Sequence, residues 1–136
     1  MTQRPELYGA VVCAVPLLDM LRYQHLLIAR LWIAEYGSSE DPEQFRWLRA
    51  YSPYHNVRPG AEYPPVLLTT AEGDSRVDPM HARKMAALLQ GETPTLALLR
   101  VDGDAGHGIG KPLDKQVDDV SDWTAFLAWR LGLAEV

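Results

Sequence analysis

Cysteine is almost missing from this 136-residue chain: Cys13 is the only one, so no internal disulfide can form. A disulfide-stapled domain is thereby excluded, although larger secreted enzymes can also lack bridges. No apolar run reaches the roughly 18 residues that read as a membrane span. The opening MTQRPELYG also lacks the basic-then-apolar pattern of a secretion signal. No membrane partner is expected, and a cytoplasmic address is the default, with a periplasmic or secreted one left open. Basic residues are in short supply: 13 Lys and Arg stand against 18 Asp and Glu, a formal net charge of -5, and no segment clusters them. That argues against a nucleic-acid surface. The histidines His25, His55, His81 and His107 fall in four separate segments with neither HExxH nor Cys/His spacing. No metal site is expected from them, and no cofactor.

What is present is a folding chain, 47% apolar and 23% charged, of the length of one domain, 1–136. YGAVVCAVP, Tyr8 to Pro16, is a short continuous apolar run ending at proline, which reads as a strand buried on both faces. Leu17 to Gly37 is long enough for a helix, apolar over more than one face and in need of cover on several sides. Asp41 as N-cap, Pro42 at the first helical position and Gln44 behind them signal a short helix to about Arg49. Ser52 to Pro65 is turn-rich, and no regular element is expected there.

A second buried strand is read at Val66 to Thr70. Asp78 and Pro79 repeat the cap-then-proline signal before a helix whose Ala82, Met85, Ala86 and Leu89 share one stripe up to Gly91. Thr93 to Val101 is the third strand, and the segment from Asp114 onward is the closing helix, with acids in its first half where the helix dipole favours them. Continuous apolar strands alternating with connections of crossover length make an α/β fold with a parallel sheet.

In such a sheet, functional groups collect on the loops beyond the carboxyl ends of the strands. The second strand runs into Glu72-Gly73-Asp74-Ser75-Arg76 and the third into a loop containing His107, flanked by glycines. An acid and a histidine on adjacent strand ends are the orienting pair of a hydrolytic triad: the carboxylate holds the imidazole tautomer, and the free ring nitrogen takes a proton from a nucleophile. A bland reading competes, since aspartate in a Gly-Asp loop often bonds only its own backbone and a histidine between glycines is often only a turn residue. The nucleophile is harder to find. None of Ser38, Ser39, Ser52, Ser75 or Ser121 lies in the G-x-S-x-G elbow of α/β hydrolases. Cys13 sits mid-strand in apolar surroundings that raise a thiol pKa and deny access.

The stretches MTQRPELYGAVV, DMLRYQHLLIARLWIAEYG, YSPYHNV, YPPVLLTTAEGDSRVDPMHARKMAALLQ and AGHGIGKP together cover most of the chain. In order and spacing they resemble the carboxyl-terminal part of the prolyl oligopeptidase (prolyl endopeptidase) family, serine peptidases of the α/β-hydrolase fold. The resemblance implies a partial α/β-hydrolase fold: three parallel strands with flanking helices, the upstream half of the sheet absent. Residue by residue, Asp74 matches the catalytic aspartate and His107 the catalytic histidine. Arg76 matches the arginine that binds the peptide near the proline subsite, Trp32 the tryptophan that stacks on the proline ring, and Tyr36 and Val77 lining positions of the same pocket. Ser75 departs from the second acid that family members often carry next to the catalytic one.

By the same resemblance, the nucleophilic serine and the oxyanion-hole tyrosine belong to sequence ahead of the part that aligns here. The expected function is therefore that of a segment of a peptidase cleaving after proline, which carries the acid and base and is inactive alone. Its expected partners are a proline-containing peptide in the intact enzyme and the missing amino-terminal segment. Self-association through an exposed sheet edge stands beside them. The alternative is a non-catalytic proline-binding or assembly module derived from that fold.

Overall fold

The computed structural model describes residues 1–103, 105–107 and 111–133. Its centre is a parallel three-stranded sheet of β1 (Val11–Ala14), β2 (Val66–Ala71) and β3 (Ala97–Asp102), in the order β1-β2-β3. Val11 pairs with Val66 and Val66 with Ala97, so the three strands start level. All six residues of β2, an uncharged and mostly apolar run, are buried between its two neighbours. This is the partial α/β-hydrolase-like arrangement, three parallel strands with flanking helices.

Strand alternation distributes the cover. Val66 and Leu68 join Ala82, Met85 and Leu89 of α3 (Met80–Glu92) in the main core. Leu67 faces the other way, toward Phe126 and Trp129 of α4 (Leu113–Arg130). The helix α2 (Pro42–Tyr51) starts where Asp41 accepts from the backbone N–H groups of Glu43 and Gln44, both at 2.9 Å, and continues two residues past the expected Arg49. Before α3, Asp78 accepts from Met80 N at 2.8 Å, and Pro79 occupies the cap position instead of the first helical one.

Several expectations are corrected. The strand expected over Thr93 to Val101 begins only at Ala97 and runs to Asp102. The helix expected over Leu17 to Gly37 is instead a chain of short pieces: 3-10 turns at Tyr23–His25 and Ala29–Trp32, then α1 (Ile33–Tyr36). The first part of the segment is held by distant side chains, with His81 Nδ1 accepting from Leu18 N and Asp19 N and Ser52 Oγ accepting from Met20 N. Leu27, at a positive φ of 50°, then breaks any continuous helix. The strand expected over Tyr8 to Pro16 shortens to four residues, three half-buried and Ala14 exposed, and among the described residues β1 pairs only with β2, which leaves its other edge and the side chains along it uncovered. The connection from Ser52 to Pro65 does contain one regular turn, a 3-10 helix at Tyr54–Asn56. No helix among the described residues is long and apolar enough to cross a membrane.

Candidate active site

Ala71 and Asp102 are register partners, so β2 and β3 end level and release their loops side by side. The loops stay joined: Glu72 N donates to Asp102 O at 2.9 Å and Gly73 N to Ala105 O at 3.2 Å. A Cβ on Gly73 would lie 3.0 Å from Ala105 O, so any side chain here would press the two backbones apart by a few tenths of an ångström.

The turn that follows fixes Asp74. Its side chain is wholly buried, and Oδ1 accepts from Arg76 N at 2.8 Å and Val77 N at 2.9 Å. Buried carboxylate oxygens need such partners, and two backbone donors leave the group one orientation. His107 Nδ1 completes the set, 2.9 Å from Oδ2 and 3.1 Å from Oδ1. Because an ionised carboxylate only accepts, Nδ1 carries the proton and Nε2 keeps its lone pair. An imidazole oriented in this way can accept a proton at Nε2 from a neighbouring hydroxyl. Gly106 precedes His107, while Gly108, the other flanking glycine, lies outside the described residues.

A cavity of about 340 Å³ opens beside His107, and Trp32, Tyr36, Arg76 and Val77 all line it. The structure thus brings all six candidate residues to one place. Arg76 holds its guanidinium 5.9 Å from the centre of the Trp32 ring, within cation–π range. Tyr36 packs edge to face on Tyr23 at 5.7 Å between ring centres, and Tyr23 Oη donates to Gly37 O at 2.5 Å. Burial, and after it the neighbours Tyr51, Tyr36 and Glu35, push the Tyr23 hydroxyl above its ordinary pKa, so it remains a neutral donor that anchors this wall.

Three lining residues escape a reading of the sequence: Val15, Leu17 and Glu35. Val15 has a φ of 47°, rare for a β-branched residue, where the chain turns out of β1 into the pocket wall. Its only sequence signal is the proline that follows it. Gly73 is the other omission, and its signal was the glycine between two acids in a strand-end loop.

One other serine–histidine contact occurs among the described residues, Ser52 Oγ to His55 Nδ1 at 2.8 Å. It is not a second relay. Asp19 Oδ1 approaches that same ring nitrogen, at 3.7 Å, and Ser52 has no exposed surface. Among the described residues no group of three or more His, Cys, Asp and Glu side chains is placed to hold a metal ion. Burial raises the pKa of the Cys13 thiol, with the amino terminus opposing weakly, which leaves it a poor nucleophile.

A parallel α/β-hydrolase-like sheet with an acid–histidine pair at its carboxyl edge and an aromatic pocket beside the pair defines the class. Comparison with known proteins narrows it: residues 1–134 match the prolyl oligopeptidase family model, and the chain belongs to that family of serine peptidases. Prolyl oligopeptidase A of Amanita bisporigera is 41% identical over 134 residues, covering 96% of this chain and 18% of that protein. A solved prolyl endopeptidase, from a study of inter-domain dynamics in catalysis and specificity, superposes with a TM-score of 0.94 at 53% identity. That match covers 98% of this chain and 20% of the other. Prolyl oligopeptidase B of Galerina marginata, solved with a 35mer hydrolysis and macrocyclization substrate, gives a TM-score of 0.84 at 38% identity over 92% of this chain and 18% of its own. The chain therefore spans about a fifth of the length of these relatives, matching their carboxyl-terminal catalytic region.

Proposed function

We propose that these residues form the acid–base and proline-pocket part of a serine peptidase that cuts peptides after proline, with the nucleophilic serine supplied by sequence outside the 136 residues. The observation that carries the reading is the Asp74–His107 pair, 2.9 Å apart, at the edge of the Trp32 and Arg76 pocket. Three mutants of the Galerina marginata enzyme have been solved with its substrates, altered at a histidine, a serine and an aspartate respectively. Those are the residue types this mechanism needs.

In the mechanism, His107 Nε2 takes the proton of the serine hydroxyl as its oxygen attacks the carbonyl carbon after proline. Asp74 holds the imidazolium through Nδ1–H. Collapse of the tetrahedral intermediate breaks the C–N bond, and the imidazolium protonates the departing amine. Water then repeats the sequence on the acyl-enzyme, releasing the acid and restoring the hydroxyl. Trp32 offers a flat apolar face to the proline ring, and Arg76 a rigid fork of donors to a substrate carbonyl. Among the described residues β1 pairs only on its β2 side, and its other edge is where the rest of the sheet would pair.

The test is turnover of a chromogenic proline peptide. The 136-residue chain is expected to show none, and activity is expected once the amino-terminal part of a full-length relative is supplied, with loss in His107→Ala. Labelling of Ser38, Ser39, Ser52, Ser75 or Ser121 by a serine-directed phosphonate, with turnover that disappears in His107→Ala, would place the nucleophile inside the chain and refute the proposal. The lack of a G-x-S-x-G elbow favours a second reading, a module that only binds proline peptides. Peptide binding by the chain, with no activity after complementation, would select it.

A further inference from the structure

We infer that Lys111 is a positioning residue: its ion cluster with Asp102 and Asp119 ties down the segment that carries His107 and so keeps the imidazole beside Asp74. The inference rests on the reading of His107 as the base.

His107 lies on the connection that leaves β3 after Asp102 and enters α4 at Leu113. On the amino-terminal side of His107, backbone bonds hold this connection to the Asp74 loop, through Asp102 O and Ala105 O. Beyond His107 the hold comes from Lys111, four positions on. Its Nζ lies 3.0 Å from Asp102 Oδ2 and 2.6 Å from Asp119 Oδ2, and its side chain is only 10% exposed. A single ammonium thus joins the strand end before His107 to the helix after it.

The cluster has little freedom to rearrange. Asp102 and Asp119 are 4% and 16% exposed, and Arg100 is committed to Asp119 and Asp122. Lys115 pairs with the other Asp102 oxygen at 3.6 Å, a longer ion contact than the 3.0 Å of Lys111. Burial by itself would lower the Lys111 pKa, but the bonds to Asp119 and Asp102 raise it, so the group stays charged and holds both carboxylates. A buried ammonium withdrawn from such partners carries a large desolvation penalty, so the geometry is specified. Behind the segment lies a cavity of about 120 Å³, lined by Ala71, Gly106, Lys111, Asp119 and Trp123.

The experiment compares Lys111→Met, Lys111→Arg and Asp119→Asn in the 136-residue chain, following the His107 Nδ1 proton and the β2 amides by NMR. For Lys111→Met and Asp119→Asn, exchange of the His107 Nδ1 proton should quicken by about tenfold or more while β2 amide protection stays unchanged. Lys111→Arg should return exchange to within about threefold of the original, since a guanidinium can bridge the same two carboxylates. Unchanged His107 exchange in Lys111→Met with β2 intact would overturn the inference. If Lys111→Met does not fold, the same result in Asp119→Asn overturns it. Loss of His107 and β2 protection together, with no rescue by arginine, would make the cluster merely structural and overturn it also. None of these readouts depends on turnover, so failure of the peptidase reading would appear separately, as inactivity of the complemented enzyme.

Discussion

Replacing Gly73 by alanine tests the join between the two strand-end loops. The added Cβ would stand 3.0 Å from Ala105 O, and ordinary van der Waals contact begins at 3.4 Å, so the carbonyl must retreat by about 0.4 Å. That carbonyl already accepts from Gly73 N at 3.2 Å. Moving it to about 3.6 Å takes the pair out of hydrogen-bonding range. Losing one such bond costs about 1 kcal/mol, while alanine stiffens the unfolded chain by about 0.4–1 kcal/mol in the opposite direction. The two nearly cancel, so the melting temperature should move by no more than a few degrees.

The site should respond more than the fold does. Ala105 is two positions before His107, and a displacement of a few tenths of an ångström on that segment lengthens the 2.9 Å bond to Asp74. In the complemented enzyme kcat should fall by about tenfold, short of the hundredfold that a full 1 Å misplacement can cost, with KM little changed because the Trp32 wall is untouched. The assay is paired: a thermal melt, and the kcat and KM of a proline chromogenic peptide. An unaltered kcat would refute the argument that Gly73 sets the spacing of the two loops. A melting temperature lowered by ten degrees or more would refute the stability bookkeeping.

Asp74→Asn keeps the shape but can present its amide to Nδ1, and should shift His107 toward the tautomer protonated on Nε2, read from imidazole ¹⁵N shifts, with about a 10⁴-fold loss of kcat in the complemented enzyme. Leu89→Ala, at a fully buried position of α3, should cost about 2–5 kcal/mol by denaturant titration. Burial would raise the Asp19 pKa, but Lys84, Arg22 and His55 together hold it below 3.8. A carboxyl depressed in the folded state stabilises above its unfolded pKa and loses that contribution as pH falls through the folded value. Denaturation midpoints should therefore fall as the pH drops below about 4, and less steeply in Asp19→Asn. The half-buried Cys13 thiol, its pKa raised by burial, should react with a disulfide reagent at least about tenfold more slowly in the native chain than in urea.

The sheet is legible in the sequence where the physics is local. Val66 to Thr70 carries no charge and is rich in β-branched residues because both its faces and both its edges are covered, and Asp41-Pro42 announces α2 because the orphan donors of a first turn need a nearby acceptor. The order of acid and histidine on consecutive strand ends is legible too, since parallel strands bring their carboxyl ends to one edge. Leu17 to Gly37 is not, because what shapes it comes from far along the chain: the imidazole of His81 and the hydroxyl of Ser52 accept the N–H groups of Leu18, Asp19 and Met20. Apolar content also cannot distinguish an interior strand from one with a free edge, so the burial of β1 is overstated. Gly73 and Lys111 are hard to read for a related reason. A glycine or a lysine in a loop has many uses, and only the position of the facing carbonyl or carboxylates selects one.

The turn after β2 joins two tasks that a sequence displays as neighbours without saying why. The backbone N–H groups that orient the Asp74 carboxylate belong to Arg76 and Val77, which line the cavity beside His107. Any motion of that turn that moves Arg76 relative to Trp32 therefore also tilts the carboxylate that holds His107. Arg76 reaches the indole from the turn, 5.9 Å from the ring centre, so a proline ring seated on Trp32 would press against the same guanidinium. Pocket occupancy and imidazole orientation would be coupled through the four-residue turn from Asp74 to Val77, with no longer pathway required. Arg76→Lys keeps the charge but loses the planar fork that lies against the indole. It should weaken binding of a proline peptide by about tenfold, equivalent to 1.4 kcal/mol, and also quicken exchange of the His107 Nδ1 proton. Weakened binding with His107 exchange unchanged would show that the turn holds its carboxylate independently of the pocket, and the coupling argument would fail.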